Sequence, residues 1–153
     1  MEKSTILTGK NVLNASKSII LKHRWFYDMN EKKENPKQVT GNAGLFYVSY
    51  QLSIRGWNVL PTSRNSKGPD LFIYSQDGKK MYKIQVKALS KHNHINPGKM
   101  DSWLMSDIVI ICTNVYSNPE IYIGKPKQFT VNKHGWIQKD SYTKFKDNWK
   151  IIK

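Results

Sequence analysis

The chain has 153 residues, the length of one domain and enough to bury a real core. Apolar residues make up 39% and aromatic residues 12%, which excludes a chain that is disordered throughout. Lys and Arg total 25 against 11 Asp and Glu, and a formal charge of +14 calls for an anionic partner, most commonly nucleic acid.

The start, Met1-Glu2-Lys3-Ser4, lacks a secretory apolar region, so the expected compartment is the cytoplasm. No apolar run is long enough to span a bilayer, and no lipidation motif is present, so a membrane partner is not expected. Residues 1–39 are polar and basic, with apolar islands at Ile19–Leu21 and Trp25–Tyr27. They read as an N-terminal extension packed on a domain at 40–153. The run from Asn30 to Gln38 reads as a loop.

A helix is predicted from near Thr40, with Thr40 or Asn42 as its N-cap and Gly56 as its left-handed terminator. Leu45, Val48 and Leu52 recur at helical spacing. Ala43 and Gly44 would let its first turn approach a neighbouring backbone. Trp57–Leu60 reads as a short strand ending at Pro61, and Arg64–Gly68 as a turn-rich loop. Asp70–Ser75 and Lys80–Leu89 read as two strands of a hairpin, because Asp77-Gly78 supplies the positive φ angles of a tight turn. On the second strand Tyr82, Ile84, Val86 and Ala88 share one face, and Lys83, Gln85 and Lys87 the other.

His92–Ser102 reads as a polar loop. Asp107–Asn114 is a continuous apolar run, which suits a strand covered on both faces. Cys112 lies within it and reads as a small core residue, with no disulfide framework. Ile121–Ile123 is a shorter strand. Asp140 or Ser141 is expected to cap a terminal helix whose apolar residues are Tyr142, Phe145 and Trp149. The order of elements predicts an α/β fold: a single domain with a central mixed sheet flanked by helices.

The hairpin is the informative part. Its turn brings Asp70, at the start of one strand, beside Gln85 and Lys87 near the end of the next. An acid, an amide oxygen and an ammonium at one end of a sheet could hold a hard cation and a water against a phosphate. Arg64, Asn65, Ser66 and Lys67 precede the acid and are expected to touch DNA phosphates. The basic loop with Lys91, His92 and His94 is expected to do the same. A zinc site there lacks a second ligand pair.

Pro69-Asp70 followed across a turn by Gln85-Val86-Lys87 resembles the signature of the PD-(D/E)XK nucleases. Gly41–Gly44, Leu52 and Gly56-Trp57 extend the likeness upstream, as in the archaeal Holliday-junction resolvases. The resemblance covers about a third of the chain well. It implies a restriction-endonuclease-like fold and metal-dependent DNA hydrolysis. Asp70, Gln85 and the carbonyl of Val86 would hold Mg²⁺ or Mn²⁺, weakly. Asp70, Gln85 and Lys87 would be catalytic. Duplex or branched DNA would be the substrate, and a homodimer is expected by analogy.

Two positions depart from the family pattern. Leu45 stands where the family carries a helix Glu, and Gln85 stands where it carries the first acid of its triplet. Some active members use Gln at the latter position. Glu31 or Glu34 would be the displaced acid if one exists. The alternative is therefore a DNA-binding protein on a degenerate nuclease fold. A third reading, an immunity or inhibitor protein, predicts contact with an acidic protein. A carboxylate within about 5 Å of Asp70 would favour the enzyme, and an apolar pocket around Leu45 the binder.

Overall fold

The structure, a computed structural model, describes residues 37–63, 67–98 and 100–153. Most of the expected N-terminal extension therefore lies outside the described residues. Its last three positions, 37–39, are the first turn of helix α1, Lys37–Ser53. The helix starts three residues before Thr40, whose hydroxyl sits 3.0 Å from the Tyr116 hydroxyl instead of capping. Thr40, Gly44, Val48 and Leu52, four apart, are its buried line. Its end matches expectation. Gly56 has φ +85°, the Gly56 amide donates to Ser53 O at 2.9 Å, and the Trp57 amide donates to Leu52 O at 3.2 Å. That pair of bonds satisfies carbonyls a helix end would otherwise leave open.

Five strands follow: β1 Asn58–Pro61, β2 Leu71–Tyr74, β3 Met81–Ala88, β4 Ile108–Thr113 and β5 Glu120–Gly124. They form one sheet in the order β1-β2-β3-β4-β5. All neighbours are antiparallel except β3 and β4, which are parallel. The β2–β3 hairpin turns at Gly78, with φ +69°. All six residues of β4 are buried, as a strand covered on both faces requires.

Each face of the sheet carries its own core. Val48 and Leu52 of α1 pack with Leu71, Ile73, Ile84, Ile110 and Ile123 on one side. Trp103, Val109, Ile111, Tyr122, Phe129 and Tyr142 form the other. Cys112 is buried on the α1 side, and burial pushes its thiol up to about 12.

Two segments differ from expectation. The stretch read as a loop at 92–102 contributes Ile95, fully buried and paired with Ile137, and most of helix α2, Met100–Leu104. Its apolar residues are too far apart to show a period, and only the sheet they cover brings them together. The terminal helix is also broken. Helix α3 spans only Lys139–Tyr142, with Gln138 in the cap position, and two short 3-10 turns follow. Tyr142 and Phe145 are buried as their spacing implied. The chain then departs at Asp147, φ +49°, where its amide donates to Ile121 O at 2.9 Å. Asn148 Nδ2 donates to Ile123 O at 3.1 Å. Satisfying the open edge of β5 outweighs a further helical turn.

Gly44 sets the depth of α1 on the sheet. A Cβ there would lie 2.3 Å from the Ala88 Cβ. Gly44→Ala is therefore expected to destabilise the fold by about 1–3 kcal/mol through overpacking, despite alanine's higher helix propensity. Thermal unfolding would read this directly. A variant as stable as wild type would mean that α1 can lift off the sheet at no cost.

Candidate functional site

The ladder between β2 and β3 ends at the pair Leu71 and Ile84. One residue further, the Asp70 side chain takes over from the missing strand. Its Oδ2 accepts the Val86 amide at 2.8 Å and a bond from the Gln85 side-chain amide. The Asp70 backbone is held from both sides. Its amide donates to Ile84 O at 2.9 Å, and its carbonyl accepts the Thr62 amide at 2.9 Å. The Thr62 hydroxyl donates to Pro69 O at 2.8 Å. Gly68, with φ +128°, lets the incoming chain turn onto this clamp, a backbone conformation that a side chain disfavours.

Gln85 and Lys87 alternate with Ile84, Val86 and Ala88, so they lie on the sheet face away from α1. Asp70, Gln85 and Lys87 are all half-buried. Burial raises the Asp70 pKa above the ordinary carboxylate range, while the Val86 amide and the charge of Lys87 pull it back. Burial lowers the Lys87 pKa, Asp70 opposes that shift, and Lys37 adds to it. The two charges thus sense one another.

The oxygen chemistry suits a hard cation. Gln85 Oε1 is buried and has no hydrogen-bond partner among the described residues. Buried polar atoms are paired in the large majority of cases, and an amide oxygen beside a carboxylate is a donor type that could hold a hard cation. Asp70 and Gln85 Oε1 are the donors at hand. No group of three or more His, Cys, Asp or Glu forms among the described residues, so such a site would carry little negative charge of its own.

The other expected contacts separate. Arg64, Asn65 and Ser66 lie outside the described residues, as do Glu31 and Glu34. Lys67, Lys91 and His94 are exposed. His92 is turned inward: its ring stacks on Tyr122 at 5.6 Å between centroids and lies 5.4 Å from Tyr142. In this placement its ring is not offered to a phosphate. Leu45 packs against the core on the α1 side. Thr62, as the clamp on Asp70, and Lys37, as a charge acting on Lys87, were not singled out from the sequence. The signal for Thr62 was its register opposite Asp70, readable once β1 is paired with β2.

Asp70→Asn tests how the site is stressed. The folded pKa of Asp70 is raised, so its contribution to stability is full below the unfolded value and is lost as pH rises through the folded one. At neutral pH the ionised form is therefore a cost to the fold. Asparagine keeps the acceptor without the charge, so in metal-free buffer it should raise the melting temperature at neutral pH and lose that advantage in acid, as pH falls below the ordinary carboxylate range. Melting curves at both pH values check this, and the opposite order would refute it.

No protein-family model matches the chain, and no curated protein matches it by sequence. By structure it is similar to a solved bacterial homing endonuclease, I-Ssp6803I, with a TM-score of 0.53 and 15% identity over 77% of this chain and 93% of that one. The likeness is one of fold: a nuclease-like α/β architecture. Among the described residues no helix is long and apolar enough to cross a membrane.

Proposed function

We propose that this protein is a metal-dependent DNA endonuclease of the PD-(D/E)XK type, with its site at Asp70, Gln85 and Lys87. The observation that carries the reading is the buried, unpartnered Gln85 Oε1 beside the clamped Asp70 carboxylate. Asp70 and Gln85 Oε1, with the Val86 carbonyl as a further donor, would hold Mg²⁺ or Mn²⁺. Such an ion supplies Lewis-acid stabilisation of charge building on a phosphate. Lys87 faces the same place with a pKa lowered by burial, so its ammonium is suited to orient a water and to stabilise the same charge. Thr62 holds Asp70 in place through the Pro69 and Asp70 carbonyls. The net charge of +14 serves binding, because each neutralised phosphate releases counterions. The homing endonuclease fold supports the same reading at the level of architecture.

A second reading rests on Leu45. It is part of the core on the α1 side and brings no carboxylate toward Asp70. On that reading the chain binds DNA without cutting it, and Asp70 and Lys87 are relics. Plasmid nicking with Mg²⁺ or Mn²⁺, alongside DNA binding by the same preparation, separates the two. Metal-dependent nicking supports the enzyme, and binding without nicking supports the degenerate fold. Absence of both would overturn the two together.

A further inference from the structure

Between Glu120 and Asp140 the chain carries four lysines and no acid. Lys125, Lys127, Lys133 and Lys139 are all exposed, and none makes an ion pair among the described residues. Within this stretch, residues 132–136 form a tight turn. The Asn132 amide donates to Trp136 O at 2.8 Å, and the Gly135 amide donates to Asn132 O at 2.9 Å. Asn132 Oδ1 accepts the His134 amide at 2.9 Å and the Trp136 amide at 3.0 Å. Gly135 supplies the positive φ, +76°, that closes the turn. The base is held as well. Ile137, fully buried, exchanges two backbone bonds with Ile95, each of 2.9 Å, and the Lys139 amide donates to His94 Nδ1 at 3.2 Å.

All this bonding presents side chains to solvent. Trp136 is 41% exposed, and Val131, just before the turn, is 43% exposed. Lys133 and His134 are exposed at its tip. An indole at the surface contributes little to the core, but on a turn fixed in advance it loses little freedom when it binds. The turn also stands on the side of the sheet that carries the candidate site. Ile137 packs in the core that contains Val109 and Ile111, and these are the register partners of Gln85 and Lys87.

We propose that this turn enters a groove of the duplex held at Asp70 and Lys87, with Trp136 against base edges and Lys133 on a phosphate. The inference rests on the DNA-binding part of the function proposed above. Charge selects the occupant, because lysines free of any acid match a polyanion. The indole among them narrows the choice to a polyanion that also offers flat apolar surface, and nucleobases do so. Shape selects the duplex. The major groove admits a two-stranded ribbon, and a turn whose arms are joined at Asn132 and Trp136 is of that width. The two side chains then act differently: the lysine positions the backbone, and the indole makes a contact that carries no charge.

Fluorescence anisotropy of the full chain with a labelled duplex, in metal-free buffer at stepped salt, tests this. Trp136→Ala should weaken binding about 10-fold and leave the salt slope unchanged, because no phosphate contact is lost. Trp136→Phe keeps a ring and should stay within about 3-fold of wild type. Lys133→Ala should weaken binding a few-fold and reduce the slope by about 1. Lys80 is an exposed lysine at the end of the β2–β3 hairpin remote from Asp70, and Lys80→Ala should leave affinity within about 2-fold of wild type. Wild-type affinity in Trp136→Ala overturns the proposal and leaves the DNA reading standing. So does a loss in Lys80→Ala as large as that in Lys133→Ala, which would make the effect one of general charge. A Trp136→Ala loss seen with a single strand of the same sequence but not with the duplex overturns it as well. A wild type that binds no duplex at any salt removes the function proposed above, and this contact with it.

Discussion

Lys87→Ala is expected to reduce metal-dependent plasmid nicking by at least ~10²-fold while leaving DNA affinity within a few-fold of wild type. The side chain is half-buried and its charge interacts with that of Asp70, in a setting where a positive charge acts on a phosphate with less screening than at the surface. It is one cation among 25 Lys and Arg, so its share of general DNA binding is small. Asp70→Ala should remove nicking altogether, because it deletes the acid at the proposed metal position and frees the Gln85 side chain and the Val86 amide together. Higher metal concentration should rescue neither variant. Excess Mn²⁺ should leave Asp70→Ala inactive and Lys87→Ala slow. Nicking that survives in either variant at the wild-type rate would show that the activity resides elsewhere in the chain, or in a contaminant.

DNA affinity is expected to fall by roughly 10³-fold between about 50 and 200 mM salt, as for a protein that neutralises several phosphates. The charge excess of +14 makes that contact number reachable even if half of the basic side chains face away from the duplex. Fluorescence anisotropy with a labelled duplex at stepped salt gives the slope. A flat profile would mean that the charge serves another partner, and the nuclease reading would lose its substrate.

Part of the site was legible in the residues. Asp77-Gly78 fixes a tight turn, and strict alternation fixes the faces of β3, so the juxtaposition of Asp70 with Gln85 follows from register alone. The burial of β4 followed from six apolar residues without alternation. Gly56 announced the end of α1, because a left-handed terminator has few other candidates. Thr40 misled as a cap: threonine is equally able to bond a distant hydroxyl, and Tyr116 is 76 positions away. Ile95, Ile137 and Trp103 were not picked out, as a single apolar residue or a short apolar group in a polar stretch carries no period.

The sequence by itself determined the α/β class, the hairpin, the approach of Gln85 to Asp70 and the strongly basic charge. These rest on local spacing and on composition, which need no knowledge of what packs where. Only the tertiary structure decided that Thr62 clamps Asp70, that Gln85 Oε1 is unpaired among the described residues, and that His92 is drawn between two tyrosines. Each of those depends on contacts between segments far apart in the chain, where burial and the need to pair every polar group act on the whole fold at once.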